Sequence, residues 1–195
     1  MEQIVVSHRQ FEIVKEVETN EVYSSYLVTY KSKKFLLRKY QNILGFDEAR
    51  YRYKKLYSYG IHVPVIEYKD KKQLALVFEH FDEPTMLDVL SEKDIPEEYF
   101  EKLFTIYRYA RVNQVDINYL PENFVVRGKK MYYTSLDLFE ANKEINLENY
   151  GLDYWIISQK GYDHLKELGH KVDKKRLLSK GETNKKIVLL SLFNW

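Results

Sequence analysis

The chain has 195 residues, 45% of them hydrophobic, enough for one compact domain or two small lobes. A formal net charge of +2 creates no global field that would select nucleic acid or a membrane. No cysteine is present, which excludes disulfides and thiolate metal sites and fits a reducing compartment. Residues 11–40 read as three strands. FEIVKEV and VYSSYLVTY are separated by Glu18-Thr19-Asn20, and KKFLLRKY follows a turn around Lys31-Ser32-Lys33. Phe46 to Tyr57 repeats apolar residues at helical spacing (Phe46, Ala49, Tyr53, Leu56, Tyr57), with Gly60 just beyond. His62 to Ile66 is extended around Pro64, and LALVF, Leu74 to Phe78, is a short buried strand. A short helix is expected from Thr85 to Leu90.

Asp94-Ile95-Pro96-Glu97-Glu98 combines a cap, an early proline and acids near the positive end of a helix dipole. The helix it starts runs to about Val112, with Phe100, Leu103, Phe104, Tyr107 and Ala110 on one face. A β-hairpin follows: Phe124 to Arg127, a turn at Gly128-Lys129-Lys130, and Met131 to Ser135. It brings Asn123 and Asp137 to one end, where two oxygen ligands side by side suit a hard cation such as Mg2+. From Leu147 the chain reads as mostly helical, anchored by Tyr154-Trp155-Ile156-Ile157. Between Lys160 and Lys186, nine Lys or Arg face four acids, densest at Lys174, Lys175 and Arg176. This is either a solvated face or a footprint for a polyanion such as RNA or lipid headgroups. The N-terminus has no basic stretch followed by an apolar core, and IVLLSLF near the C-terminus is too short to span a bilayer. A soluble, cytoplasmic protein is expected. The five histidines show no metal-ligand spacing, which argues against zinc.

This order of elements, with the residues at its junctions, resembles the protein-kinase fold. It is similar in size to the small atypical members: the RIO-type kinases, the small kinase of the KEOPS tRNA-modification complex and the lipopolysaccharide-core sugar kinases. KKFLLRKY resembles the strand that ends in the phosphate-binding lysine, and EARYRYKKLYSYGIHVP the helix and junction that follow it. LALVFEHF resembles the strand and hinge that meet adenine. Tyr119-Leu120-Pro121-Glu122-Asn123 resembles the second half of the catalytic-loop pattern H-R-D-L-K-P-E-N, and Asp137 falls where the aspartate of D-F-G would.

The resemblance implies an α+β, bilobal fold. A small antiparallel N-lobe sheet with one helix would occupy residues 1–81, and a reduced, mostly helical C-lobe residues 82–195, with ATP and Mg2+ between them. Asn123 and Asp137 would hold Mg2+, and Lys39 or Arg38 would neutralise phosphate charge, with Lys39 slightly preferred. Glu48 would partner that cation, although helical arithmetic puts it off the apolar stripe. Glu79, His80 and Phe81 would supply hinge backbone. Aligned on K-P-E-N, Asn118 occupies the position of the catalytic base and Asp116 that of the histidine. An amide cannot accept the proton of a substrate hydroxyl. Residues 1–44 also lack glycine, so the Gly-rich phosphate loop is missing and lower nucleotide affinity is expected, with Thr19-Asn20 at its tip.

Three functions are compatible with these residues. The first is an ATP- and Mg2+-dependent phosphotransferase acting on a hydroxyl of a protein or small molecule, with Asp116 or Asn118 positioning the acceptor. The second is a pseudokinase that regulates a partner. The third is a polyanion-binding adaptor using Lys174, Lys175 and Arg176.

Overall fold

A computed structural model describes residues 2–194, which divide into two compact units, 2–55 with 64–82, and 56–63 with 83–194.

The first unit is a six-stranded antiparallel sheet. Its strands are β1 (Gln3–Val6), β2 (Arg9–Thr19), β3 (Tyr23–Tyr30), β4 (Lys33–Tyr40), β5 (Ile66–Asp70) and β6 (Ala75–Glu79), in the order β1-β2-β3-β4-β6-β5. The sheet curls until its two edges meet: Ser7 donates its N–H to the Asp70 carboxylate at 2.8 Å and its hydroxyl to the Lys69 carbonyl at 2.7 Å. One face closes over Val6, Phe11, Val28, Phe35, Leu37, Ala75 and Val77. Strand alternation turns Tyr40 and Phe78 to the other face. There they meet Phe46 and Tyr53 of helix α1 (Ile43–Ser58), with ring centroids 6.0 and 6.4 Å apart. Asn42 starts that helix by accepting the Gly45 N–H at 2.9 Å, as an N-cap asparagine does.

In the second unit, α2 (Met86–Glu92) opens with a reciprocal capping box between Thr85 and Asp88. Helix α3 (Glu97–Val112) buries Phe100, Leu103, Phe104 and Tyr107, the face expected from its periodicity. The fully buried Trp155 joins that core, its ring 6.2 Å from Phe100 and 5.2 Å from Phe124. The hairpin consists of β8 (Phe124–Arg127) and β9 (Lys130–Tyr133), paired from Phe124↔Tyr133 to Arg127↔Lys130. Flanking it, β7 (Val115–Ile117) pairs with β10 (Leu138–Glu140). The C-terminal part holds α4 (Gln159–Glu167), α5 (Lys180–Asn194) and short 3-10 turns. Gly161 packs so tightly that an added Cβ would sit 2.2 Å from the Ile156 carbonyl oxygen, so α4 tolerates no side chain there.

Several elements differ from expectation. Strand β1 and the β7–β10 pair were unforeseen, and the extended segment around Pro64 pairs only from Ile66. Asp94 does not cap α3: Pro96 occupies that position without a side-chain bond, and the Asp94 carboxylate faces Arg176 and Lys186 at 3.2 and 3.1 Å. Those two cations outweigh the desolvation that opposes them, and Asp94 titrates below the ordinary aspartate range. No helix among the described residues is long and apolar enough to cross a membrane.

Candidate functional site

The residues around the hairpin converge through backbone geometry. Strand β7 delivers Asn118. Pro121-Glu122-Asn123 then forms a single 3-10 turn, with the proline at a position where no N–H is needed. The Asn123 carbonyl accepts the Thr134 N–H at 2.8 Å, which fixes the turn to the start of the hairpin.

Tyr133 ties the remaining ends together. Its hydroxyl accepts the Asn118 N–H at 3.1 Å and donates to the Asp137 carbonyl at 3.0 Å. The side chains of Asn118 and Asp137 therefore meet, with Asn118 Nδ2 3.5 Å from Asp137 Oδ2, the long end of hydrogen-bond range. Asn118 Oδ1 accepts the Leu120 N–H at 3.2 Å, and the Asp137 N–H reaches Ser135 Oγ at 3.2 Å. Asn118, Asn123 and Asp137 are all partly exposed.

The loop is supported from beneath. Trp155 donates its indole N–H to the Tyr119 carbonyl at 2.6 Å. Gly151 lies against Tyr119, where an added Cβ would come within 2.8 Å of the Tyr119 Cβ. Glu122 faces the His164 ring, Nε2 lying 3.1 Å from both carboxylate oxygens.

Asp116 lies elsewhere. It is 2% exposed, with Oδ2 accepting the Asn142 N–H at 2.7 Å and Oδ1 accepting the Tyr119 hydroxyl at 3.3 Å. The Arg111 guanidinium stands 3.9 Å away. Burial raises its pKa despite these partners. It also pushes the Tyr119 and Tyr107 hydroxyls far up, keeping both protonated as donors.

In the first unit, Arg38 and Lys39 point to opposite faces of β4. Lys39 is exposed. Arg38 is half-buried on the α1 face, its guanidinium 5.1 Å from the centre of the Tyr23 ring and 5.5 Å from that of Phe78. Glu48 pairs with Arg52 of its own helix at 2.8 Å. In the segment expected to supply hinge backbone, the Glu79 N–H bonds the Val65 carbonyl at 2.9 Å and its carboxylate accepts the Val65 N–H at 2.9 Å, while His80 faces Asp82 at 3.6 Å and Phe81 is half-buried. The β2–β3 turn is closed by its own side chain. Asn20 Oδ1 accepts the N–H groups of Val22 and Tyr23 at 2.9 and 3.0 Å, the Asn20 amide donates to Glu18, and the Tyr23 hydroxyl donates to Glu18 at 2.9 Å. Two turn N–H groups are thus engaged by a neighbouring oxygen.

In the basic region, Lys174 and Lys175 are exposed, but Arg176 is committed to the end of α2. It donates to the Ser91 and Leu90 carbonyls, both at 2.9 Å, and to Asp94. Sequence reasoning did not single out Tyr133, Asn20 as a turn-closing acceptor, or the Glu122–His164 pair. The alternation of Met131 and Tyr133 on β9 was the available signal for the first, since it points both inward.

No family model matches the chain, and no curated protein matches it. Among solved structures, the BubR1 kinase domain matches over 71% of this chain and 50% of its own, with a TM-score of 0.50 and 13% identity. The likeness is one of fold: an α+β, kinase-like arrangement of an antiparallel sheet and helices. The chain spans about half the length of that domain.

Proposed function

We propose that this chain is a pseudokinase, a kinase-fold module that acts by binding a partner rather than by transferring phosphate. The observation that carries this reading is the fate of the catalytic-loop carboxylate. Asp116, the only acid in that stretch ahead of Asn118, is buried and bonded to Asn142 and Tyr119, while Asn118 is an amide engaged with Leu120 and Asp137. A general base has to be basic and to lie within reach of the proton it takes: Asn118 is an amide without that basicity, and Asp116 is buried with both oxygens engaged. The β2–β3 turn supports the same reading, since N–H groups held by Asn20 are not available to cradle phosphate.

Asn118 beside Asp137 favours a second reading, residual Mg2+-dependent nucleotide binding with or without slow transfer. The donor set fits a hard cation: one carboxylate and the Asn123 amide would hold Mg2+, leaving its other positions for phosphate oxygens and water. Bound there, the ion would neutralise phosphate charge. Among the described residues, no three or more His, Cys, Asp or Glu side chains cluster to bind a metal without such help.

Two measurements separate the readings. Thermal-shift titration with ATP, with and without Mg2+, reads nucleotide binding; a ligand at a hundredfold over its dissociation constant stabilises by about 2.7 kcal/mol. ATP turnover with general acceptor hydroxyls reads transfer. Turnover at background in wild type and in Asn118→Ala alike is the pseudokinase result. A wild-type rate that collapses in Asn118→Ala would establish a phosphotransferase instead.

A further inference from the structure

Helix α5 turns one face toward the chain and leaves an apolar stripe on the opposite face uncovered. Thr183, Ile187, Leu190, Ser191 and Asn194 follow helical spacing and turn inward. Lys185, Val188, Leu189, Leu192 and Phe193 form the opposite stripe, at i, i+3, i+4, i+7 and i+8. That outer stripe is open: Val188 is 55% exposed, Leu192 71% and Phe193 82%. Contiguous apolar patches of this kind mark interaction sites.

Beside the stripe runs a groove of about 570 Å3 between α5 and the start of α3. Phe100 and Ile95 contribute apolar lining, Leu189 and Phe193 come from α5, and Glu97 and Glu101 come from α3. Both glutamates are exposed, one helical turn apart, and make no side-chain ion pair among the described residues. Lys185 is likewise exposed and pairs with none of them. One surface therefore carries an apolar stripe with a lysine in it next to a groove in which Lys186 is held by Asp94 while Glu97 and Glu101 are left for another cation. Such a surface is complementary to itself.

We propose that this face joins two copies of the chain about a two-fold axis, α5 of each lying against the α3–α5 groove of the other. In an isologous contact the same patch serves both sides, so Lys185 of each copy meets Glu97 and Glu101 of its mate while the apolar stripes cover one another. The acids disfavour an anionic lipid surface, which would be repelled by Glu97 and Glu101. The lysine within the stripe disfavours a purely apolar partner.

Sedimentation equilibrium over a concentration series tests this. The wild type is expected to dimerise and Leu192→Glu to be monomeric with an unchanged circular-dichroism spectrum, because that side chain lies outside the core; its melting temperature should match that of wild type diluted to the monomer. Lys185→Glu and Glu101→Lys are each expected to weaken the dimer roughly tenfold, and together to restore it, since the reversed charges meet again across the axis. A monomeric wild type would overturn the proposal, as would a dimer indifferent to Leu192→Glu. A double charge variant no tighter than either single one would overturn the pairing. A monomer that floats with vesicles of anionic phospholipid would assign the face to a membrane instead.

Discussion

Two aspartates bracket the strand pair β7–β10, and the protein treats them oppositely. Asp116, on β7, is buried beneath Asn142 and Tyr119; Asp137, one residue ahead of β10, is partly exposed, and its carboxylate meets Asn118 at the long end of bonding range. The same functional group is a buried structural anchor at one place and a partly exposed carboxylate at the other. Sequence position does not decide between the two roles. What decides is which side of a three-residue strand the carboxylate leaves from, and whether backbone N–H groups converge on it.

The largest effect that would break this contrast is Asp116→Ala. It leaves the Asn142 N–H and the Tyr119 hydroxyl without their acceptor, at a cost of roughly 2–4 kcal/mol in urea unfolding. Asp116→Asn should cost less and should also remove a pH dependence. Burial raises the Asp116 pKa, so the native state binds the proton more tightly than the unfolded chain does. Its contribution is complete below the ordinary aspartate range and is lost as pH rises through the folded pKa. Unfolding curves across that interval should therefore show wild type losing stability relative to Asp116→Asn, and parallel curves would contradict the assignment.

Tyr133→Phe probes the link between the two ends. It removes the hydroxyl shared by the Asn118 N–H and the Asp137 carbonyl, and a loss of about 1–2 kcal/mol is expected. Asn20→Ala comes next, at roughly 0.5–1 kcal/mol, since the exposed N–H groups it frees can turn to water. If turn closure suppresses phosphate contact, this variant should bind ATP more tightly than wild type in a thermal-shift titration. Asp137→Asn is the smallest in stability, under about 0.5 kcal/mol, because Asn is nearly isosteric and the site is partly exposed. It should nonetheless abolish any Mg2+-dependent part of nucleotide binding, which calorimetric titration with and without Mg2+ would detect.

Much of the scaffold was legible. The face of α3 followed from period 3.6, and the hairpin from two apolar runs around Gly128, which sits at φ 58°. Strand β1 was hidden by its turn. Ser7 and His8 adopt φ 50° and 62°, the double positive-φ pattern that usually advertises itself with Asn-Gly. Strands β7 and β10 are three residues each, too short to display a period, and they hid the direction in which Asp116 points. Alternation along β4 correctly set Arg38 and Lys39 on opposite faces, but it does not say which face carries α1. Arg176 looked like part of a free basic cluster because a guanidinium that caps a distant helix leaves no local pattern.

The bond from Trp155 to the Tyr119 carbonyl gives the protein an optical reporter. The chain has two tryptophans, Trp155 and Trp195, so Trp195→Phe would leave a single emitter. That emitter is buried among aromatic rings, and its one polar atom is bonded to the loop that leads into Pro121-Glu122-Asn123. Indole emission shifts with the polarity and hydrogen bonding around the ring nitrogen, so displacement of the loop would change colour and intensity without any attached dye. Whatever partner, nucleotide or second copy of the chain engages this unit, the loop's response can be followed in real time from fluorescence the sequence already encodes.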